Sequence, residues 1–430
     1  MKTKIAINGF GRIGRNAFKI AFERPDIEVA AVNDLTDTKT LAHLLKHDSN
    51  YGTYQHDVDF DEQNIIVNGQ KIRVLAEKDP TALPWKDMDI AVVIESTGLF
   101  TKHDDLKKHL QAGAKKVVLS APEKDDTDHD TFVIGVNEQD MKPEHEIFSN
   151  ASCTTNCITP IMAILEREYG IDKAFMTTVH SYTASQRLQD APAKDLREAR
   201  NAATNIVPTT TGASIAAAKA FAPLDGIFGG MSVRVPTPVV SLSDFAVVTK
   251  KDVTVEEVNE VFKKAAAEPY YQGILDVTEE ELVSSDFIGN SHSAVVDLKL
   301  TAVVGGNLLK VVAWYDNEWG YSNRLVELTA DIAKLVSGQT ADQAKEEPKA
   351  EETQPASSVE HHKESMLSAA PEEPQLPAGH VSPELESPDD DKDKPQPEAA
   401  QDSAAPVEVD THDGAEPTES GNDGEPSHDS

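Results

Sequence analysis

The sequence predicts an α/β protein with two folded units and an acidic tail that belongs to neither. Three observations carry this reading. A glycine motif, Gly9-Phe-Gly11-Arg-Ile-Gly14, falls between a short apolar strand and a helical pattern. A helix led by Cys153 is followed by strands that suggest an antiparallel-dominated sheet. From residue 339 onward Phe, Trp, Tyr and Ile are absent, and 12 of the 24 prolines collect there.

Taken in order, residues 4–7 form the first strand, Arg12 to about Glu23 the first helix, and 29–33 a second strand ending at Asp34. A GxGxxG alone is a weak signal. Here a strand precedes it, a helix follows, and an acid lies 20 residues beyond Gly14, which makes it a dinucleotide-binding turn. Gly9 permits the tight turn, Gly11 lets the backbone approach a pyrophosphate, and Gly14 allows close helix–strand packing. The pyrophosphate would rest on the helix N-terminus. Asp34 would hydrogen-bond the adenosine ribose and repel a 2′-phosphate. A plain glycine-rich turn is the alternative.

Strands follow at 65–67, 72–75, 90–94 and 117–119, the last two being apolar runs suited to a sheet covered on both faces. They end in Ser96-Thr97-Gly98 and Ser120-Ala-Pro122, turns that face the ligand in doubly wound sheets. Residues 132–136 are expected to continue the sheet, and 147–148 to lead into the cysteine helix.

Ser152 as N-cap, with Ile158, Ile161, Met162 and Leu165 in helical spacing, places Cys153 in a first turn. Unpaired N–H groups and the positive end of the macrodipole favour a thiolate there. The alternative is a buried structural thiol. That both of the chain's two cysteines fall in this stretch favours the reactive reading. His180 ends a strand over 174–180, 27 residues after Cys153. Sequence does not bring the two together, and His180 reads equally as a structural histidine or as a base.

The polar segment 181–207 is long for a connection. Pro208-Thr-Thr-Thr211-Gly212 opens an alanine-rich helix, a second candidate anion site. Arg234 lies in an otherwise apolar strand and needs an anionic partner, either a structural carboxylate or a bound phosphate. Strands at 241–249, 294–300 and 308–313 complete a mixed sheet. Residues 314–321 read as an aromatic, polar loop. A helix over 322–336 and Gly338 as its C′ residue end the folded part.

Bulk properties narrow the class. Two cysteines four residues apart argue against a disulfide-stapled secreted fold and for a reducing compartment. Lys2, Lys4, Arg12 and Arg15 interrupt any signal-peptide core, and no run of 18 apolar residues exists. The expectation is a cytoplasmic protein without a membrane span. Of the net charge of −34, residues 339–430 hold −20, from 5 Lys and Arg against 25 Asp and Glu. An acidic chain is a poor nucleic-acid binder. The tail cannot bury enough apolar surface to offset its ordering entropy and reads as disordered, a solvating appendage or a contact for a basic protein. No metal site is read from the sequence.

Residues 1–338 resemble phosphorylating glyceraldehyde-3-phosphate dehydrogenases over their whole length. The matching pieces are INGFGRIGR (7–15), VND (32–34), SNASCTTNC (149–157), TTVHSYT (177–183), PTTTGA (208–213), VRVPTP (233–238) and WYDNEWGYSNR (314–324). The resemblance implies a Rossmann NAD-binding domain over 1–152, an α+β catalytic domain over 153–316, and a helix over 317–338 returning to the first domain. It also implies a homotetramer, with the 181–207 loop at a subunit interface beside the cofactor.

By the same resemblance Cys153 attacks the aldehyde, His180 takes the proton, and a thioester on Cys153 is released by inorganic phosphate. Thr183 and Arg234 would hold the substrate phosphate, Thr154, Arg200, Thr211 and Gly212 would shape the attacking-phosphate site, and Ser152 would be a further substrate or phosphate contact. Implied NAD contacts are Gly9, Gly11, Arg12, Ile13, Gly14, Asp34, Lys78, Ser120 and Asn317, with Lys78 departing from the arginine common at its place. Cys157 is assigned packing alone. Asp34, Leu35 and Pro192 together disfavour a 2′-phosphate, so the cofactor is read as NAD. Two rivals remain at this stage. One is an erythrose-4-phosphate dehydrogenase that transfers the acyl group to water. The other is a non-catalytic binding protein that uses the tail.

Overall fold

A computed structural model of the chain describes residues 2–125 and 131–338. The expected tail, 339–430, lies outside the described residues, and with it the contact with a basic partner.

The first sheet is built from β1 (Thr3–Asn8), α1 (Arg12–Phe22), β2 (Ile27–Asn33), α2 (Thr38–Lys46), a small hairpin of β3 (His47–Asp48) and β4 (Gly52–Thr53), then β5 (Val58–Phe60), β6 (Asn64–Val67) and β7 (Gln70–Leu75). It is completed by β8 (Val92–Glu95), α3 (His103–Gln111), β9 (Lys116–Leu119) and β10 (Ile147–Ser149). The order is β10-β9-β8-β1-β2-β7-β6-β5. Strands β10 through β7 run parallel, while β6 and β5 are antiparallel additions at one edge. The chain leaves β1 toward β2 on one side and reaches β8 on the other. The carboxyl end of β1 is thus a topological switch point, where doubly wound sheets bind ligands.

The second sheet follows α4 (Cys153–Tyr169) and contains β11 (Ile171–Ser181), β12 (Val207–Thr209), α5 (Ala213–Ala220), β13 (Phe228–Val235), β14 (Ser241–Thr249), α6 (Val255–Ala267), β15 (Leu275–Thr278), β16 (Ala294–Asp297), β17 (Ala302–Val304) and β18 (Leu308–Tyr315). Its order is β12-β13-β11-β14-β18-β16-β15, with β17 beside β18. Only β11/β13 and β15/β16 are parallel, so the sheet is mixed and largely antiparallel. The last helix, α7 (Trp319–Ser337), leaves this sheet.

Two apolar cores follow the two sheets. In one, Ile5, Ile7, Val32 and Ile94 of the strands meet Phe18 of α1 and Leu325, Leu328 and Ile332 of α7. In the other, Ile158, Ile161, Met162 and Leu165 of α4 pack on Phe245, Val247, Leu309 and Val311. The final helix therefore closes the first core, not the second.

Two expectations are corrected. Residues 132–136 do not form a strand; only a bridge from Thr131 to Ser149 extends the sheet. The backbone then turns with Gly135 at φ +86°, where Asn137 Oδ1 accepts from Val133 N and Glu138 Oε2 accepts from Gly135 and Val136 N. Side chains capture the N–H groups that a ladder would need. Nor is 314–321 a loop throughout: β18 runs through Tyr315 and α7 begins at Trp319. Asp316 Oδ1 accepts from the N–H groups of Glu318 and Trp319 at 3.0 and 2.8 Å, starting the helix early.

Candidate active site

Ser152 caps α4 as expected, its Oγ accepting from Thr155 N at 3.0 Å. Just before it, Ala151 is held at φ +54°, a backbone conformation that L side chains rarely adopt. Tyr321 of α7 donates to Ala151 O at 3.1 Å and fixes that turn. Cys153 is thereby presented at the first residue of the helix.

The strand register supplies its neighbours. In the parallel β11/β13 ladder His180 is paired with Arg234. His180 Nε2 lies 3.5 Å from Cys153 Sγ, so the 27-residue gap closes into contact. On the other side of the ring, Nδ1 lies 2.7 Å from Ser181 O and 2.6 Å from Arg234 Nη1. One nitrogen cannot donate to the carbonyl and accept from the guanidinium at once. The tautomer that leaves a lone pair on Nε2 therefore donates from Nδ1 to Ser181 O and leaves Arg234 free to turn to another acceptor.

Burial pushes the His180 imidazole down to about 3, and the Arg234 charge acts in the same direction. Burial also pushes the half-buried Cys153 thiol up, against the pull of Arg234 and a hydrogen bond with Thr154. Desolvation therefore works against the helix N-terminus at this thiol, while Arg234 and Thr154 work with it. The nucleophile is freed when the proton moves from Sγ to Nε2, which lies within reach of it.

These groups open on a cavity of about 420 Å³. Ser152, Thr154, Thr183, Thr211, Gly212 and Arg234 all line it, as do Arg12, Ile13, Ser120 and Asn317. Thr211 and Gly212 lie immediately before α5, with Thr211 Oγ1 accepting from Ala213 N. Asn317 Oδ1 accepts from Ser181 Oγ at 2.9 Å and Ser241 Oγ at 3.1 Å, which assigns the amide so that its Nδ2 donor is left for the cavity.

The glycine turn fits a dinucleotide on internal observations. Gly9 has φ +92°, and a Cβ on Gly14 would lie 2.0 Å from Gly9 O, so only glycine lets α1 start this close to β1. A Cβ on Gly11 would meet nothing within 4 Å, leaving room for a pyrophosphate against the first-turn N–H groups of Arg12 and Ile13. Asp34 closes β2 beside the turn, accepting from Phe10 N and Thr36 N. Lys78 is exposed beyond β7.

Arg200 is not brought to the site. It is exposed on the 181–207 segment, pairs with Asp190, and does not line the cavity. Sequence reasoning also missed the hydroxyl relay behind the cysteine: Tyr315 Oη contacts Thr154 Oγ1 at 3.1 Å and Thr178 Oγ1 at 2.8 Å. Tyr315 and Tyr321 both lay in the aromatic motif already singled out, which was the signal available.

A parallel sheet whose glycine turn opens onto a cavity shared with a thiol–imidazole pair and a guanidinium places the chain in the class of NAD-dependent dehydrogenases. Comparison with known proteins makes the class specific. Residues 3–103 match the family model "Glyceraldehyde 3-phosphate dehydrogenase, NAD binding domain", and residues 152–317 match "Glyceraldehyde 3-phosphate dehydrogenase, C-terminal domain". The glyceraldehyde-3-phosphate dehydrogenase of Geobacillus stearothermophilus is 53% identical over 334 residues, covering 77% of this chain and 99% of that one. Glyceraldehyde-3-phosphate dehydrogenase 1 of Bacillus cereus is 53% identical over 329 residues, and the Thermotoga maritima enzyme 52% over 334, covering 98% and 99% of those chains and 76% and 77% of this one. The chain belongs to the glyceraldehyde-3-phosphate dehydrogenase family.

Proposed function

We propose that this protein oxidises D-glyceraldehyde 3-phosphate with NAD and captures the acyl group with inorganic phosphate, giving 1,3-bisphosphoglycerate. The observation that carries the reading is Cys153 Sγ at 3.5 Å from His180 Nε2, with Arg234 against the far side of the ring. Sγ attacks the aldehyde carbon as its proton passes to Nε2, which hands it on to the carbonyl oxygen, so that a thiohemiacetal hydroxyl forms and His180 is left neutral. NAD, when bound, supplies the acceptor for the hydride from that carbon. His180 takes the hydroxyl proton as the C=O re-forms, leaving a thioester on Cys153. A phosphate oxygen then attacks the thioester carbon and the C–S bond breaks, returning the sulfur as thiolate.

The cavity offers two anion seats for this sequence. Thr183 and Arg234 suit the substrate phosphate, while Ser152, Thr154, Thr211 and Gly212 at the entrance to α5 suit the attacking one. In the unliganded site Arg234 leans on His180, so an anion that draws it away favours the tautomer with a basic Nε2. Asp34, Leu35 and Pro192 favour NAD over a 2′-phosphorylated cofactor. On this reading residues 1–152 with the helix over 317–338 hold the cofactor, and 153–316 carry the chemistry.

The working form is read as a cytoplasmic homotetramer. Leu188 and Leu196 on the 181–207 segment are 73% and 81% exposed, apolar surface that a neighbouring subunit would cover. Among the described residues no helix is long and apolar enough to cross a membrane. The deciding assay is NADH formation from glyceraldehyde 3-phosphate with and without phosphate. Turnover that ignores phosphate would replace phosphorolysis by hydrolysis.

A further inference from the structure

The β3–β4 hairpin belongs to neither large sheet, yet it holds the turn that carries Asn317 from both sides. On one side, Asp48 Oδ2 accepts from Arg12 Nη1 at 2.6 Å, and Arg12 in turn donates from Nη2 and Nε to the Glu318 carboxylate at 2.5 and 3.0 Å. On the other, Tyr51 Oη donates to Asp316 Oδ1 at 2.8 Å. The Tyr51 ring sits 5.3 Å from the Trp319 ring, with the Arg12 guanidinium 5.6 Å from its centre. Asp48 is itself fixed, its Oδ1 accepting from Asn50 N and Tyr51 N. Asp316 and Glu318 flank Asn317, so each neighbour of the amide is tied to the same hairpin.

We infer that Asp48 and Tyr51 are positioning residues for the nicotinamide end of the cofactor, acting through Arg12, Asp316 and Glu318 on the Asn317 amide. The inference rests on the NAD reading of the cavity. Two hydroxyls aim the Asn317 side chain, but its backbone lies between two carboxylates whose anchors come from a different part of the chain. Arg12 joins the ends of the site. Its backbone opens the helix that faces the pyrophosphate, and its side chain holds the residue after Asn317. Loosening the hairpin should therefore leave the adenosine and pyrophosphate contacts in place and blur the nicotinamide alone.

Calorimetric titration of the full chain with NAD and with ADP-ribose, which lacks the nicotinamide, tests this. Tyr51→Phe keeps the ring between Trp319 and Arg12 and removes only the bond to Asp316. It should weaken NAD by about 3- to 30-fold, the range for residues that couple through intermediaries. ADP-ribose should change by less than about twofold. Asp48→Asn should follow the same pattern, and the double variant should fall short of the product of the two effects. Equal losses for both ligands would make the hairpin a general prop of the domain, and unchanged binding of both would deny it any role; either overturns the inference while the NAD reading stands. Wild-type protein that bound neither ligand would overturn the NAD reading and this inference with it.

Discussion

Arg234 Nη1 lies 2.6 Å from His180 Nδ1, so the cation suited to a substrate phosphate presses on the ring suited to take the proton. Phosphate recognition and proton transfer therefore share one contact. Arg234→Leu should raise the KM for the phosphorylated aldehyde while leaving the Kd for NAD unchanged. It should also alter the pH profile. His180 works as a base only when neutral, and burial together with Arg234 holds its value near 3. Removing the cation lifts that value toward the ordinary 6.5, so the acid limb of the acylation rate should move to higher pH. Rapid-mixing measurements of the NADH burst between pH 4 and pH 8 check it, and a limb that stays in place would remove Arg234 as an influence on His180.

His180→Asn should slow acylation by about 10²–10⁴-fold, the usual worth of a positioned general base. Nε2 faces Sγ and is buried away from solvent, so water is poorly placed to stand in for it. Cofactor affinity should be retained, because His180 lies at the cysteine end of the cavity. A burst rate within about threefold of wild type would assign His180 to structure.

The two thiols should differ sharply toward iodoacetamide. Cys157 is fully buried, and burial pushes its thiol far up. Cys153 is half-buried, lines the cavity, and has a proton acceptor at 3.5 Å. Mass spectrometry of briefly labelled protein should find the adduct at Cys153 alone. Cys153→Ser should abolish oxidation and still bind NAD; comparable labelling of both thiols, or turnover by the serine variant, would contradict the assignment.

Gly14→Ala tests the glycine turn without removing a polar side chain. The added methyl would sit 2.0 Å from Gly9 O, so α1 must shift away from β1. Overpacking of this kind costs about 1–3 kcal/mol. Thermal stability should drop and the Kd for NAD should rise together. Gly11→Ala, where a Cβ meets nothing within 4 Å, should leave thermal stability nearly unchanged and weaken NAD by crowding the pyrophosphate. A Gly14→Ala protein with unaltered melting would mean that the close approach is not needed.

The elements legible in the sequence were those whose signal is local. The strand–glycine turn–helix unit, the Ser152 cap and the 241–249 strand needed only neighbours in the chain, and Ser241–Thr249 is found with the expected bounds. The α6 helix went unread although Thr254 and Glu257 form a capping box, a signal available at three-residue spacing. What could not be read was register. Whether His180 meets Cys153 depends on how β11 lies against β13 and α4, and one residue of slip would turn the ring to the opposite face. The place of Arg200 was unreadable for a related reason: on an irregular segment, partner choice is made locally, and its partner Asp190 is ten residues away.

Helix α7 is the last described element, yet its Leu325, Val326, Leu328 and Ile332 complete the core begun by β1 and α1. On the ribosome, the strands of the first sheet emerge long before the helix that covers them. The second sheet, by contrast, has all its strands once Tyr315 is made. Domains made first ordinarily fold first. Here the part synthesised first should become protease-resistant last, and nascent chains arrested before residue 319 should be cut preferentially within residues 1–150. Such a chain exposes the apolar seat of α7 for as long as translation pauses, so a late stall endangers its beginning more than its end.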